Sequence, residues 1–459
     1  MKEVINYILD LGPEVFLPSI MIIVGLIVRM KFPTAFSSAL TLGAAFLGMN
    51  VVINFLFDTV GPASEAFVNN TGLQLNALDL GWPPNSAIAW AWPYAFLMFP
   101  IQIIINLVML GFNKTNCLNL DLWNVWNKIF TAVIVTGITN SLVMGFVVAS
   151  IEVVLELKNA DLTQKQIQRM TGIPGIALPH AMALTAVVLA PLNRLLDFIP
   201  GIKNVELDAE SLKEKLGIFG ENHVVGFIIG IFIALFAKYD LKSTLALGVQ
   251  AATALTLFPM VSTLFMKALA PISEAAGEFM KRRFPGKEIY IGLDWPFLAG
   301  HAEVWVTCIL LVPVTLLMAV ALPGNGTLPF GGILNICFAA TALIVCNKNL
   351  ARMLILGIIA TPLYLYVATA FAPHITNLAR QVGTIDLPAN QMITWNGMEA
   401  PEFRYVFSRA ANIINGDILG IVLLAGYIVL YIWYYKYMKA REEAAAKELG
   451  LSQNNSLLA

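Results

Sequence analysis

Long apolar runs separated by short polar connections dominate the chain. They recur at 12–28, 35–57, 90–111, 129–155, 223–237, 243–266, 303–322, 331–346, 353–371 and 415–435. Many are near the ~20 residues that a helix rising ~1.5 Å per residue needs to cross ~30 Å of hydrocarbon. One further apolar stretch, 173–193, is interrupted by Pro174, Pro179, His180 and Pro191. Irregular backbone is tolerated at membrane depth only where protein or a water-filled cavity surrounds it. The stretch therefore predicts a broken segment inside the fold. With it, the pattern predicts an all-α integral membrane protein of about eleven transmembrane segments.

Basic residues in the connections orient these segments. Arg29 with Lys31, Lys114 with Lys128, and Arg194, Lys203, Lys213 and Lys215 each mark a cytoplasmic connection. So do Lys267, Lys281, Arg282, Arg283 and Lys287, then Lys348 with Arg352, and finally Lys436, Lys439 and Arg441. The connection 58–89 has no Lys or Arg and is expected outside. The N-terminus is then outside and the C-terminus cytoplasmic. The exception is 157–170, which falls outside on this count although it carries Lys158, Lys165 and Arg169. It is expected as an amphipathic segment at the membrane surface.

The chain also repeats itself. Pro62-Ala63-Ser64-Glu65-Ala66 returns as Pro271-Ile272-Ser273-Glu274-Ala275, and Leu80-Gly81-Trp82-Pro83 returns as Leu293-Asp294-Trp295-Pro296. Each pair of motifs follows two hydrophobic helices, which divides the chain into repeat one at about 1–215 and repeat two at about 216–413. A last transmembrane helix at 414–436 follows, closing a membrane domain of about 1–440, and 437–459 forms a cytoplasmic tail. An odd number of crossings per repeat turns the second copy upside down. The charges agree, because 58–89 is free of basic residues and its counterpart 266–300 carries five. Inverted repeats of this kind build transporters, with substrate held where broken segments meet near the midplane.

Composition narrows the class. Of 459 residues, 58% are hydrophobic and 12% charged, against ~25% charged in soluble domains; mean hydropathy is +0.74. That leaves no large water-exposed domain, and a net charge of -1 predicts no nucleic-acid partner. Cys117, Cys308, Cys337 and Cys346 have no paired or metal-ligand spacing and read as small hydrophobes. Acidic Glu3, Asp10 and Glu14 argue against a cleavable signal. No HExxH, nucleophile elbow or P-loop is present. No enzyme activity of its own, cofactor or metal is expected.

The polar residues that remain gather in the broken segments. They are Asp79 near Trp82, His180 within 173–193, and Asp294, His301 and Glu303 around Trp295. Proline after each tryptophan removes a backbone donor and stops the helix, freeing backbone groups for a ligand. Trp offers an apolar face to the C–H side of a sugar or polyol, and Asp, His and Asn offer directional bonds to hydroxyls. Trp82 and Trp295 suit an interfacial belt as well, and His180 suits helix packing. Asp79 reads as a loop-end carboxylate facing water. Asp294 and His301 are the strongest candidates, because ionisable groups within apolar sequence default to function. Asn85, Ser86 and Asn349 are weaker ones.

The stretches LDLGWP, GIALPHAMA (176–184), IGLDWPFLAGHAEV (291–304) and PISEA resemble the galactitol-type enzyme IIC of the bacterial phosphoenolpyruvate-dependent sugar phosphotransferase system, a family grouped with the ascorbate-type permeases. The resemblance implies a homodimeric permease in the bacterial inner membrane, with two re-entrant hairpins and a scaffold formed by the first two helices of each repeat. The remainder would be a transport core that moves like an elevator. Substrate, galactitol or a related polyol, would be phosphorylated by a cytoplasmic enzyme IIB that an enzyme IIA charges on cysteine. The family motifs fall on Trp82, Pro83 and Ser86 at the first hairpin tip, His180 in the broken segment, Asp294 with His301 at the second hairpin, and Asn349 at an inner turn. An ion-coupled secondary transporter of a polyol or sugar is the competing reading.

Overall fold

The computed structural model describes residues 13–450 except 28, 120, 122–123, 174, 203–204, 206, 208, 210–213, 215–216, 284–288, 299–300, 384–386 and 388–390. Glu3, Asp10, Pro174, Lys203, Lys213, Lys215, Lys287 and the end of the tail lie outside the described residues. So do the side chains of the two Ser-Glu pairs in the repeated motif.

The fold is helical, as the apolar pattern predicts. The chain opens with α1 (Pro13–Ile27) and α2 (Phe32–Thr71), and its middle supplies α8 (Asn222–Phe236) and α9 (Leu241–Arg283). These four pack on one another. Small residues let α8 and α9 approach closely: a Cβ on Gly226 would stand 2.8 Å from the Ala251 carbonyl, and one on Gly230 2.7 Å from that of Leu247. Such contacts drive helix association where lipid removes the hydrophobic difference. Phe67 of α2 lies against Phe232 and Phe236 of α8.

The second group repeats one order of elements twice. After α2 come β1 (Ala77–Asp79), α3 (Trp82–Trp90), α4 (Met98–Gly111), β2 (Cys117–Asn119), α5 (Val125–Thr139), α6 (Leu142–Thr171), β3 (Ile176–Ala177) and α7 (Ala186–Leu196). After α9 come β4 (Tyr290–Gly292), a 3-10 turn (Trp295–Leu298), α10 (Ala302–Ala321), β5 (Thr327–Leu328), α11 (Ile336–Cys346), α12 (Leu350–Val382), β6 (Met392–Thr394) and α13 (Pro401–Ala411). The final helix is α14 (Ile418–Glu448). Among the described residues, α10, α12, α14 and the first part of α2 are long and apolar enough to cross a membrane. The pair α3 and Ala95–Gly111 bends by 92°, where one straight span at 90–111 was expected.

Among the described residues six short strands form two parallel three-stranded sheets, ordered β5-β1-β6 and β2-β4-β3. Each sheet takes its central strand from one half of the chain and both flanking strands from the other. The strands occupy the places where helices break, so their pairing satisfies backbone groups that hydrocarbon cannot. At the C-terminal end of the first sheet, Asp79 is fully buried. Its carboxylate accepts from the backbone N–H of Gly81 (3.0 Å), Phe330 (3.0 Å), Gly332 (2.8 Å) and Asn396 (2.9 Å). Asp79 is therefore not the water-facing loop carboxylate that the sequence suggests; it knots three chain segments together. Gly81, at φ 73°, lies so close to Gly331 that a Cβ would stand 2.4 Å from its carbonyl oxygen.

Two expectations about the membrane path change. The run 129–155 is two antiparallel helices: Asn140 is left-handed (φ 53°), and Ser141 caps α6 by accepting from the Met144 amide at 3.3 Å. The chain returns, so 157–170 lies beside the Lys348 turn and the tail rather than on the opposite face. Arg169 donates to Asn347 (2.6 Å) and Glu448 (2.7 Å), and Lys348 donates to the Met170 carbonyl (3.1 Å). The broken stretch 173–193 begins beside this turn and ends beside it as well, where Asn193 donates to the Val345 carbonyl at 3.1 Å. Both ends of the stretch thus lie beside the same turn. The α5–α6 turn touches Asn415 through the Thr139 carbonyl (3.3 Å), whereas the α11–α12 end holds Arg441 through the Val345 carbonyl (2.8 Å). Asn415 lies three residues before α14 and Arg441 lies 23 residues into it, roughly 35 Å along its axis, so the two turns lie far apart along that helix.

Replacing Asp79 by Ala strands four buried donors, each worth about 1–3 kcal/mol when unsatisfied. Thermal melts of the detergent-solubilised protein should place Asp79→Ala well below wild type. Asp79→Asn, which keeps one accepting oxygen, should fall between the two. Equal melting temperatures would contradict the knot.

Candidate functional site

The second sheet ends differently. Asp121 follows β2 by two residues, Asp294 follows β4 by two, and His180 follows β3 by three, so three parallel strands aim three polar residues into one place. In open α/β sheets the same end of parallel strands holds ligands. His180 Nε2 lies 3.1 Å from an Asp294 oxygen, and Nδ1 lies 3.1 Å from an Oε2 of Glu399. Nδ1 accepts from the Met182 amide at 3.4 Å, so the Glu399 Oε2 beside it makes an ion-pair approach without a hydrogen bond of good geometry. His180 is 1% exposed and Asp294 21%, so the cluster has a closed side at Glu399 and an open side at Asp294. Asp294 Oδ1 also accepts from the Trp295 amide at 2.7 Å, which ties the carboxylate to the start of its 3-10 turn. Asp121 is oriented by the Asn124 amide at 3.1 Å and by the Asn124 side chain.

Glu399 owes its place to α13. Ala400 adopts a left-handed conformation (φ 44°), unfavourable for a residue with a Cβ and usually kept where function needs it. Arg404, one turn on, donates to the Glu399 carbonyl and is fully buried. The same guanidinium reaches Thr131 Oγ1 (2.9 Å), Asn127 Oδ1 (2.9 Å) and Glu152 (3.3 Å). Beside it Lys128 pairs with Glu156 at 2.6 Å, both side chains at most 1% exposed. Lys128 is therefore not the cytoplasmic loop charge that the orientation count took it for. Buried charges cost several kcal/mol each in desolvation unless paired, and these two pairs bind α5, α6 and α13 behind the histidine.

Of the residues singled out in the sequence, the structure brings together His180 and Asp294. Trp82, Pro83 and Ser86 sit at the end of the other sheet, near Asp79. Ser86 is buried and donates to the Pro83 carbonyl at 2.7 Å, a bond within its own helical turn. Asn85, also buried, donates to the Gly81 and Thr394 carbonyls. His301 starts α10 as its N-cap residue with no side-chain capping bond. Asn349 caps α12, accepting from the Arg352 amide (3.0 Å) and donating to the Val205 carbonyl (3.1 Å).

Asp121, Glu399 and Arg404 were not singled out. Hydropathy passes over 392–411 as connection, although Glu399, Glu402 and Arg404 around Pro401 mark a polar helix start. Both Glu402 oxygens are buried without a hydrogen bond of good geometry, with the Thr185 hydroxyl and the Arg404 guanidinium nearby.

The arrangement offers carboxylate acceptors flanking one imidazole, with Trp295 beside Asp294. Carboxylates and imidazole bind adjacent hydroxyls directionally. One ligand atom from each of Asp121, His180 and Asp294 also lies within 4.8 Å of the others, a grouping that fits a cation.

Residues 7–389 match the family described as EIIC-GAT, PTS system sugar-specific permease component. The chain is 36% identical over 389 residues to the PTS system galactitol-specific EIIC component of Escherichia coli (strain K12), covering 84% of this chain and 86% of that protein. The identity to the protein of that name in Escherichia coli O157:H7 is the same, 36% over 389 residues. The family match stops before Glu399 and α13, which nonetheless complete the surroundings of His180. A helical integral membrane architecture, the shared motifs and a match over most of the length agree, and the chain belongs to the family of sugar-specific permease components of the phosphotransferase system.

Proposed function

We propose that this protein is the substrate-binding, translocating subunit of a phosphotransferase system for galactitol or a related polyol. The observation that carries this reading is His180 held between Asp294 and Glu399, with Asp121 alongside, where strands from both halves of the chain meet. Asp294 and Asp121 accept from substrate hydroxyls, and Glu399 fixes the imidazole ring from behind. Substrate stays neutral until a cytoplasmic enzyme IIB, charged by enzyme IIA, transfers its phosphoryl group to a hydroxyl. No phosphoryl chemistry is assigned to this chain itself.

The two halves act as inverted repeats. The recurrent element order, the exchanged central strands and the distant placement of the α5–α6 and α11–α12 turns support this. On this reading α1, α2, α8 and α9 are a static scaffold in a homodimer. The sheets and re-entrant segments form a core that carries the polyol across the cytoplasmic membrane in an elevator-like movement, with the N-terminus outside and the C-terminus inside. Trp82, Pro83 and Ser86 belong to the first hairpin tip and act on the substrate only if that tip closes over it.

A second reading has one specific observation behind it. The Asp121, His180 and Asp294 group fits a cation, as an ion-coupled polyol transporter requires. Membrane vesicles separate the two: galactitol accumulation should need the soluble phosphotransferase proteins, and accumulation driven by an imposed Na⁺ or H⁺ gradient alone would favour coupling.

Loss of a hydrogen bond to a charged group costs about 1.5–3 kcal/mol, so His180→Ala and Asp294→Asn should each weaken galactitol binding at least about tenfold by calorimetry. Asp294→Asn should melt close to wild type, whereas His180→Ala, which leaves the buried Glu399 carboxylate without its imidazole, should stay folded but melt lower. Unchanged affinity in both variants would remove the cluster from the substrate site. Glu399→Gln, which keeps an acceptor oxygen for His180, should weaken binding less than His180→Ala does.

A further inference from the structure

A second polar cavity, of about 680 Å³, opens where the Lys348 turn, the end of α7 and the last turns of α14 converge. Among the described residues four cations line it, Arg169, Lys348, Arg352 and Arg441, against one carboxylate, Asp197. Asp197 is taken by Arg352 at 2.8 Å, and Arg169 is taken by Glu448 at 2.7 Å. Among the described residues the hydrogen bonds of Lys348 and Arg441 go to carbonyls, those of Met170 (3.1 Å), Val345 (2.8 Å) and Ile344 (3.1 Å), and Arg441 also lies over the Tyr437 ring. Carbonyls orient a cation without neutralising it. Among the described residues no carboxylate lies within ion-pair distance of either.

The backbone adds to the field. Asn347 and Lys348 are consecutive left-handed residues, φ 51° and 67°, a conformation glycine would adopt more cheaply. Side chains are kept there all the same. The first residues of α12 also line the cavity, so the positive end of a 33-residue helix faces it. Unneutralised cations with a helix N-terminus suit a phosphoryl dianion.

The cavity is joined to the histidine cluster. The thiol of Cys337 donates to Glu399 Oε1 at 3.5 Å, and α11 runs from there to Cys346 on the cavity wall. At ~1.5 Å per residue that separates the two sites by roughly 14 Å. Thr341 holds α11 to the Met182 carbonyl at 3.0 Å along the way.

We infer that this cavity receives a phosphoryl dianion, carried either by the polyol phosphate that leaves or by the phosphorylated thiol of the donor subunit. The inference rests on the phosphotransferase reading given above. Neutral polyol and phosphoryl group would then have separate places, and a displacement of the core would bring them together.

The test uses the purified full-length protein with galactitol phosphate, unphosphorylated galactitol and the phosphorylated donor subunit. Lys348→Gln, which keeps a donor for the Met170 carbonyl, should weaken galactitol phosphate binding at least about tenfold, and Lys348→Arg much less. Galactitol itself should bind both variants as it binds wild type, which also reports that they are folded. If free galactitol phosphate gives no binding heat to wild type, the donor is the source, and Lys348→Gln should raise the KM for the phosphorylated donor subunit about tenfold with kcat nearly held. A salt titration of wild type checks the same point without any variant. Affinity for galactitol phosphate, or for the phosphorylated donor, should fall with ionic strength while affinity for galactitol does not. Lys348→Gln indistinguishable from wild type towards both phosphorylated species would overturn the cavity assignment and leave the polyol site standing. Failure of galactitol to bind wild type would instead strike the substrate reading.

Discussion

Every break in a membrane helix exposes backbone groups that hydrocarbon cannot satisfy, and this fold answers that constraint with two small sheets. Each sheet needs strands from both halves of the chain, so neither half completes its own breaks. Most of the rest follows. The broken segments can turn inside the protein because their strands are paired, and the strand ends collect into two clusters rather than scattering. Of the long helices, α12 runs against the first sheet, where Thr376 bonds both backbone groups of Ile393.

The two clusters then diverge for a chemical reason. At the first, one carboxylate at the last residue of β1 turns inward and consumes four backbone donors. That end is closed, and glycines at 81 and 331 let the chains cross over it. At the second, the residue in register with Asp79 is Gly292, and the carboxylate comes two residues later, as Asp294. Beyond the turn it meets a histidine and the single backbone amide of its neighbour Trp295, instead of four amides. A two-residue displacement separates a structural knot from a site that can take a ligand.

Rigidity behind the site comes from buried ion pairs. Arg404 with Glu152 and Lys128 with Glu156 fix α5, α6 and α13 relative to one another. Breaking one partner of such a pair leaves a buried charge uncompensated, at a cost of about 3–5 kcal/mol. Glu399 therefore presents its carboxylate to His180 from a fixed platform. α14 reinforces the other end, where Glu442 accepts the amides of Lys165 (2.6 Å) and Gln166 (3.2 Å). The first part of the cytoplasmic tail expected from residue 437 is, through Glu448, a continuation of that helix, which packs on α6.

The sequence by itself determined the class of protein, most of the helices and the repeated Trp-Pro motifs, because apolar length and local motifs are written in neighbouring residues. It also located His180 and Asp294, since ionisable groups in apolar surroundings are conspicuous one at a time. It misread Asn140-Ser141 as mid-helix, because hydropathy averages over a two-residue turn between equally apolar helices. It misread Lys128 as a loop charge and Asp79 as a solvated one, since burial depends on partners 28 and some 250 to 317 residues away. Glu399 stayed hidden for the same reason. A carboxylate in a polar stretch acquires its role only when tertiary structure carries it to 3.1 Å from a histidine 219 positions earlier.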